Sequence, residues 1–334
     1  MIPQTELRLH CQDWHWQLQN CIRDPQMLAD ALNLSVDDLP GAKAAHTDFP
    51  VNVPLPYLSR IRAGDPDDPL LLQVMASSKE LLSVPGFKAD PVGDGQANVL
   101  PGVLHKYHGR VLFMVSTHCA INCRYCFRRH FPYQENRLNK DHWRQALDYI
   151  TDNPDIHEVI YSGGDPLSAS DQRLAWLTSQ LADIPHVARL RVHTRLPVVI
   201  PQRVTAAMLG WLTGSRLQPV MVLHINHANE IDSHVKQMTA SLRQAGVALL
   251  NQAVLLNGVN NQAETLRELS ETLFSAGILP YYLHMLDPVQ GASHFHVELE
   301  EARTLMDKLR QTLSGYLVPR LVREDAGHPG KTPL

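Results

Sequence analysis

Three cysteines lie within eight residues of one another in the stretch STHCAINCRYCFRRH. Cys119, Cys123 and Cys126 have the spacing C-x3-C-x2-C, in a chain of 334 residues that contains five cysteines. An odd, clustered set of cysteines does not suggest a disulfide framework, and in a reducing compartment such a cluster more often binds metal. The stretch therefore predicts a site in which three thiolates hold a metal or a metal cluster.

The number of thiolates limits the kind of site. A cubane iron–sulfur cluster has four irons, and clusters that only transfer electrons usually have four cysteine ligands. Three cysteines leave one iron open to a substrate or cofactor. This spacing, with the aromatic Tyr125 before the last cysteine, is that of radical S-adenosylmethionine (SAM) enzymes. The open iron would bind SAM, and one electron from the cluster would release a 5′-deoxyadenosyl radical.

A structural zinc site is the alternative. His118 or His130 would complete a Cys3His ligand set, and the chain would then be a non-catalytic, zinc-stabilised binding domain. Structural zinc sites usually take their ligands from two separated pairs, so we favour the cluster. We expect the remaining Cys11 and Cys21 to be ordinary packing or surface thiols.

Short apolar segments alternate with amphipathic helical segments from about residue 110. The apolar segments predict strands buried on both faces, and Leu174, Leu177 and Leu181 show the spacing of an intervening helix. Six such units indicate a parallel sheet, as an open doubly wound sheet, a barrel or, with fewer than eight strands, a partial barrel. The predicted strands are 110–116, 157–162, 188–194, 219–225, 247–254 and 279–286.

Composition suggests three segments and excludes some functions. Residues 1–105 indicate two helices and an irregular stretch packed on the sheet, 106–290 hold the strand–helix units, and 291–334 supply a helix, a strand and a tail. The formal net charge of −4 argues against nucleic acid as a partner. Without an apolar run or a signal-peptide pattern, we expect a cytoplasmic protein with no membrane association.

The polar, glycine-bearing stretches all follow predicted strands. Ligands of α/β folds bind beyond the carboxyl ends of the strands, so these stretches should converge on one ligand site. Besides the cysteine stretch they are SGGDP (162–166), HTRLP (193–197), HINHANE (224–230), NQAVLLNG (251–258) and HMLDPVQG (284–291).

The chain resembles the lysine 2,3-aminomutases over most of its length. The resemblance implies a radical SAM partial (βα)6 TIM-type barrel and an isomerase that moves the α-amino group of L-lysine to the β-carbon. Because the sequence stops just after GKTPL, it looks most like the bacterial branch that supplies (R)-β-lysine for elongation factor P. Besides the cysteines, the resemblance rests on SGGDPL, RLPVVIPQR, NHANE, NQAVLLNGVN, SGYLVP and GKTP.

The resemblance implies pyridoxal 5′-phosphate (PLP) as a second cofactor. Lys331 matches the PLP-binding lysine of the family, so the tail would have to fold back over the barrel mouth. Tyr107 and Arg110 match residues near the PLP phosphate. Lys106 stands where the metabolic members have arginine, and a lysine offers a point charge rather than a bidentate fork. The residues that the resemblance assigns to SAM are Ser162, Gly163, Gly164, Asp165, His227 and Gln252.

The resemblance also implies how lysine is recognised. Arg128 matches the arginine that binds the substrate carboxylate, and Asp287 matches one of two carboxylates that bind the ε-ammonium. The second carboxylate position holds Glu324 where the family has aspartate, so either Glu324 or the adjacent Asp325 would serve.

The implied partners are free L-lysine, an external electron donor, and a functional link to elongation factor P and its lysyl ligase. The family forms dimers or larger assemblies, which leaves a homo-oligomer as one expected state. A mutase of the same class acting on another amino acid is the alternative, since glutamate-type relatives share the scaffold.

Overall fold

A single sheet of ten strands follows the order of the chain from one edge to the other. The computed structural model describes residues 12–35, 39–136 and 139–334, so Cys11 and the N-terminal start of the chain lie outside the described residues. The strands are β1 (Asn98–Leu100), β2 (Val103–Tyr107), β3 (Arg110–Ser116), β4 (Glu158–Gly163), β5 (Arg189–Thr194), β6 (Gln218–Leu223), β7 (Ala248–Val254), β8 (Leu279–His284), β9 (Arg320–Arg323) and β10 (Thr332–Pro333).

Helices occupy the N-terminal segment and the connections between the parallel strands. No helix in the described part of the chain is both long enough and apolar enough to cross a bilayer. The α-helices are α1 (Trp14–Gln19), α2 (Pro25–Ala31), α3 (Ala42–Asp48), α4 (Leu55–Leu58), α5 (Pro69–Leu72), α6 (Lys140–Thr151), α7 (Asp171–Ala182), α8 (Leu196–Val199), α9 (Ala206–Thr213), α10 (Ser233–Gln244), α11 (Ala263–Ser275) and α12 (Leu299–Thr312).

The strand order decides between the sheet architectures. Strands β3 to β9 are all parallel, and each lies beside its predecessor in the chain. A doubly wound sheet requires a reversal of strand order, which is absent from the described strands. The six predicted strands are confirmed, within two residues at each end, as β3 to β8. The sequence did not predict the β1–β2 hairpin at one edge. For 291–334 it predicted one strand without bounds, and the structure has two short strands there, β9 and β10.

The predicted helical stripe is confirmed in α7. Ser170 caps its N-terminus by accepting a hydrogen bond from the Arg173 backbone N–H. Leu174, Leu177 and Leu181 are each fully buried. Their three- and four-residue spacing places them on one side of the helix, and this apolar side is the one that can pack on the sheet.

The sheet curves around a cavity of about 750 Å³. Inward-pointing side chains of β2 to β8 line this cavity, as do Glu324 after β9 and Lys331 before β10. The two edges of the sheet approach each other there, because Lys106 Nζ on β2 lies 2.9 Å from Glu324 Oε1. The two edges of the described sheet are not joined by backbone hydrogen bonds, and this ion pair between side chains spans the gap between them.

The N-terminal segment packs over the carboxyl ends of the strands. Arg60 donates to the carbonyls of Val198 at 2.8 Å and Glu230 at 2.6 Å, at the ends of β5 and β6. Lys88 donates its backbone N–H to Pro288 beyond β8 at 2.8 Å. The segment thus covers the end of the barrel where the ligand site was expected. The division at residues 105 and 290 remains a prediction.

Candidate active site

Most of the predicted site residues line the one large cavity. They reach it from elements far apart in the chain, because parallel strands present their carboxyl ends at the same edge. His227 and Asp325 are the two predicted residues that are not part of the lining. The predicted residues in the lining are Lys106, Tyr107, Arg110, Cys119, Cys123, Cys126, Arg128, Ser162, Gly163, Gly164, Asp165, Gln252, Asp287, Glu324 and Lys331.

The three cysteines are half-buried and line the same cavity. Burial, with a smaller contribution from the neighbouring thiols, raises the pKa of Cys119 well above its usual value and that of Cys126 to about 11. Three mutually repelling thiolates are stable only beside a strongly cationic centre, which an iron cluster supplies. The donor set therefore fits a cluster with three protein ligands.

The histidines of the zinc alternative are engaged elsewhere. The His118 ring lies 3.2 Å from the Thr117 hydroxyl, and His130 Nε2 lies 3.2 Å from the Gln290 carbonyl. In the described ranges, no group of three or more His, Cys, Asp or Glu side chains is arranged to hold one metal ion. A zinc site needs such convergence, whereas the ligands of a cubane bind separate irons.

The cysteine loop is fastened to the N-terminal segment by a buried ion pair. Glu80 accepts two hydrogen bonds from Arg124, at 2.9 and 2.6 Å, and one from Arg129 at 2.9 Å. Arg124 also donates to the Phe49 carbonyl at 2.8 Å. Glu80 is itself held in place, because its side chain caps the Ser77 backbone N–H. The N-terminal segment thus orients the loop that carries the thiols.

Glycines 163 and 164 allow a close approach between two segments of this chain. Gly163 has φ of 123°, and a Cβ there would overlap the carbonyl oxygen of Ser116. A Cβ on Gly164 would lie 2.6 Å from the carbonyl oxygen of His118. Side chains at either position would push the SGGDP stretch away from the cysteine loop. The glycine pair therefore has a packing role that the sequence reasoning missed.

Asp165 organises the ends of β4 and β5. One oxygen accepts from the Leu167 N–H at 3.0 Å and the Thr194 hydroxyl at 2.7 Å. The other accepts from the N–H groups of Arg195 at 2.8 Å and Leu196 at 2.9 Å. Burial raises the pKa of Asp165, and these hydrogen bonds oppose that rise. Both oxygens are engaged by the protein, so Asp165 is better placed to position the site than to contact a ligand.

A row of alternating charges links the predicted substrate, phosphate and PLP residues. Asp94 Oδ2 lies 2.6 Å from Arg128 Nε, and Asp94 Oδ1 lies 2.5 Å from Lys106 Nζ. Lys106 also pairs with Glu324, whose other oxygen lies 2.6 Å from Lys331 Nζ. Burial would raise the pKa of Glu324, but the two lysines lower it to about 2. The sequence reasoning missed Asp94, which lies in an irregular stretch without a motif.

The structure distinguishes the paired candidates Glu324 and Asp325. Glu324 lies in the cavity, whereas Asp325 binds Arg323 at 2.8 Å and the Thr332 hydroxyl at 2.7 Å outside it. The Asp325 contacts hold β10 against β9. Of the two, Glu324 is the one that can face a ligand.

Asp287 is a half-buried residue with one carboxylate oxygen that is enclosed and lacks a partner. Its Oδ1 has no hydrogen-bond partner among the described residues, although the side chain lies in the cavity lining. Burial, with a smaller contribution from the Glu324 charge, raises the pKa of Asp287 to about 7. A carboxylate in this state would be stabilised by any cation that enters the cavity.

Three further histidines line the cavity, although they were not predicted as site residues. Burial lowers the pKa of His224 to about 3, and those of His193 and His284 well below the usual value, so all three rings are neutral. His224 Nε2 lies 2.8 Å from Gln252 Nε2. His227, which was predicted beside SAM, instead accepts from the Asn229 N–H at 3.1 Å in a turn. The sequence signal that could have identified His193, His224 and His284 is their position at the ends of predicted strands.

Part of the chain matches a known superfamily. Residues 113–269, which span β3 to α11 and include the cysteines, match the Radical SAM superfamily. A solved structure of Streptococcus suis SuiB bound to S-adenosylmethionine aligns with 67% of this chain and 52% of its own, with 15% identity and a TM-score of 0.46.

Curated relatives then identify the family. An L-lysine 2,3-aminomutase of Haemophilus influenzae is 53% identical over 99% of this chain and 98% of its own length. Its counterpart in Escherichia coli is 52% identical over 97% and 94%, and that of Clostridium subterminale is 34% identical over 96% and 77%. The chain belongs to the lysine 2,3-aminomutase family of radical SAM isomerases, whose members use a 4Fe–4S cluster, SAM and PLP.

Replacing Glu80 with alanine should destabilise the protein and loosen the cysteine loop. The change leaves Arg124 and Arg129 buried without their carboxylate, which costs about 3–5 kcal/mol of unfolding free energy. Urea unfolding measures this loss. Glu271→Ala, which removes an exposed pair with Arg267 on α11, should change stability by less than about 0.5 kcal/mol. Equal effects of the two substitutions would contradict a stabilising role for the buried ion pair of Glu80 with Arg124 and Arg129.

Replacing Asp287 with asparagine should stabilise the cofactor-free protein increasingly as pH rises. When the pKa of a carboxyl is raised by folding, the folded state binds its proton more tightly than the unfolded state does. Its contribution to the free energy of unfolding is therefore greatest below the unfolded-state pKa and is lost as pH rises toward the folded-state pKa of about 7. The stability advantage of Asp287→Asn should therefore grow by about 3 kcal/mol between pH 5 and pH 8.

Urea unfolding at the two pH values tests this, with Asp325→Asn as the control. The hydrogen bond from Thr332, and to a smaller extent that from Arg323, lowers the pKa of Asp325. The stabilisation that Asp325 provides is therefore fully present above its unfolded-state pKa. The effect of Asp325→Asn should therefore be constant between pH 5 and pH 8. A constant effect of Asp287→Asn over the same interval would refute the raised pKa.

Proposed function

We propose that this protein converts L-lysine to β-lysine by moving the amino group from the α- to the β-carbon, with a 4Fe–4S cluster, SAM and PLP as cofactors. The observation that carries the proposal is the set of side chains that line one cavity. Three cysteine thiols, the amine of Lys331 and the unpartnered carboxylate of Asp287 all face it. When bound, the cluster and SAM supply a carbon radical, and PLP supplies the π system that lets nitrogen migrate.

The cluster would be held by Cys119, Cys123 and Cys126, which leaves one iron for SAM. His224 and Gln252 lie together in the cavity, so we assign His224 rather than His227 to the SAM side of the site. Neutral imidazole and amide groups can accept and donate hydrogen bonds to a nucleoside. Ser162, Gly163 and Gly164 line the same cavity and complete the SAM assignment.

PLP would bind at the closing edge of the sheet. Lys331, the amine that would join the PLP aldehyde, is held in the cavity by Glu324 at 2.6 Å. Lys106 and Arg110 provide positive charge for the phosphate, and the Arg110 guanidinium lies 4.5 Å from the centre of the Tyr107 ring. Lys106 is already neutralised by Asp94 and Glu324, so Arg110 is the cation with more capacity for a phosphate.

The two ends of lysine match two charged ends of the site. Arg128 would bind the α-carboxylate, and Asp94 at 2.6 Å together with the Ser162 hydroxyl at 3.2 Å fixes the orientation of its guanidinium. Asp287, with Glu324 nearby, would bind the ε-ammonium. An incoming ammonium would lower the pKa of Asp287 and give the buried carboxylate the partner it lacks. A substrate with an acidic side chain would be repelled there, which disfavours a glutamate-type mutase.

The biological setting is also proposed. We infer that the product is (R)-β-lysine for the modification of elongation factor P, with free lysine as substrate and an external donor of the electron. The relatives from H. influenzae and E. coli match this chain over nearly their whole length, whereas that from C. subterminale extends beyond the match. The first two relatives are also more similar to this chain, with 53% and 52% identity against 34%, and this supports a place beside them within the family. A cytoplasmic location and a homo-oligomeric state remain predictions.

Anaerobic incubation of the reconstituted protein with L-lysine, SAM and dithionite should yield β-lysine, identified by chiral chromatography. Asp287→Asn should raise the KM for lysine roughly ten- to a hundredfold with a smaller effect on kcat, because it removes one charge-assisted contact. Asp307→Asn, on the exposed face of α12, is the control. No β-lysine from protein with intact cluster would refute the proposed reaction.

PLP attachment should be confined to Lys331. Borohydride reduction in the presence of PLP, followed by proteolysis and mass spectrometry, should place the added mass on the C-terminal peptide. Lys331→Ala should abolish this label, whereas Lys308→Ala on α12 should retain it. Labelling of Lys106 instead would overturn the assignment of Lys331.

A further inference from the structure

Arg195 places a buried positive charge against one of the cluster cysteines. Its Nη1 donates to Cys123 Sγ at 2.8 Å and to the Tyr125 hydroxyl at 2.7 Å. The residue is 5% exposed, so water does not compete for these contacts. Neither the cysteine spacing nor the assigned SAM, PLP and lysine contacts account for this side chain.

The guanidinium of Arg195 is held rigidly from the opposite side. Its Nη2 donates to Glu230 Oε2 at 2.8 Å and to Gln73 Oε1 at 2.7 Å. The other oxygen of Glu230 accepts from the backbone N–H groups of Asn226 at 2.8 Å and His227 at 3.2 Å. The backbone of Arg195 is fixed in turn by Asp165. Both ends of the residue are therefore anchored, and the side chain cannot turn away from the sulfur.

Other buried arginines in the described part of the chain serve a different purpose. Arg124 bonds to Glu80 and to backbone carbonyls. Arg203 bonds to the Leu167 carbonyl at 2.7 Å and to Asp171 at 2.6 Å. Among the described residues, Arg195 is the arginine whose recorded hydrogen bonds include a cysteine sulfur. Arg195 also pairs with an acid, Glu230, but its contact with Cys123 has no counterpart at Arg124 or Arg203.

A cationic donor at a ligand sulfur has a defined effect on an iron–sulfur cluster. One-electron reduction adds a negative charge that is shared with the thiolate ligands. A hydrogen bond and a positive charge at such a sulfur stabilise the reduced form more than the oxidised form. Screening by water is weak in a buried site, so the effect is larger than it would be at the surface.

We propose that Arg195 is a positioning residue that raises the reduction potential of the cluster through its contact with Cys123 Sγ, and that Glu230 moderates this effect. The proposal rests on the proposed function, because it requires a cluster on the three cysteines. It concerns electron delivery to the cluster, a step that lysine and PLP contacts do not control. Arg195 acts through Cys123 and touches no reacting atom of the substrate.

The test is a redox titration of reconstituted proteins, followed by the low-temperature paramagnetic signal of the reduced cluster. Arg195→Gln keeps an amide donor but removes the charge. At a fixed potential it should lower the ratio of reduced to oxidised cluster about tenfold, which is a shift of about 59 mV to more negative values for one electron. Arg195→Lys keeps the charge and should shift the potential less.

Glu230→Gln provides a test with the opposite sign. It leaves the charge of Arg195 uncompensated, so the potential should move to less negative values. A purely structural disturbance would not move the two variants in opposite directions. Arg203→Gln is the matched control, since it removes an equally buried arginine that does not contact a cysteine. Its reduction potential should equal that of the unmodified protein.

The outcomes separate the two proposals. Unchanged potentials in Arg195→Gln and Glu230→Gln, with full iron content and unaltered circular dichroism, would overturn the role of Arg195 and leave the aminomutase proposal intact. If Arg195→Gln fails to fold, the direction of the Glu230→Gln shift decides alone, and no shift or a negative shift overturns the inference. If the unmodified protein binds no cluster, both proposals fail.

Discussion

The site depends on the carboxylate of Asp165, which joins the ends of two neighbouring strands. Three of its four hydrogen bonds connect the SGGDP stretch at the end of β4 to the Thr194 hydroxyl and to the backbone N–H groups of Arg195 and Leu196 at the end of β5, and the fourth comes from the Leu167 N–H. The glycines before it let the same stretch lie against the cysteine loop. The cysteine loop, the SGGDP stretch and Arg195 therefore take their positions from one buried acid.

Alternating charges also link the two edges of the curved sheet, which do not pair through their backbones. Asp94, Lys106, Glu324 and Lys331 lie in a row across the opening. Isolated buried charges are costly, and here each is offset by a neighbour of opposite sign. The same row brings the amine of Lys331 into the cavity. Closure of the sheet and placement of Lys331 in the cavity thus depend on one arrangement of charges.

The N-terminal segment contributes to the chemistry although it carries no recognisable motif. It supplies Glu80 to the cysteine loop and Gln73 to the Arg195 guanidinium. It also places Asp94 between Arg128 and Lys106. Contacts of this kind leave no periodic or spacing pattern, so a chain scanned for motifs appears to have an inert extension.

The amino-acid sequence by itself determined the local features of this protein. Cysteine spacing indicated a cluster with one open iron, apolar runs marked the six strands β3 to β8, and leucine spacing marked the stripe of α7, because such patterns reflect bonds and packing within a few residues. The β1–β2 hairpin was missed, and the one strand predicted in 291–334 had no bounds, because these edge strands are short and their pairing requires neighbours already in place. The family resemblance, rather than any pattern, drew attention to Lys331.

Only the tertiary structure decided which charges meet. Arg195 and Cys123 are 72 residues apart, and Lys106 and Glu324 are 218 apart. The structure also separated Glu324 from Asp325 and His224 from His227, neighbours that the sequence presents as near equivalents. The physical reason is the same throughout. A side chain gains its partner, its burial and its shifted pKa from the curvature of the sheet, and that curvature is a property of the whole chain.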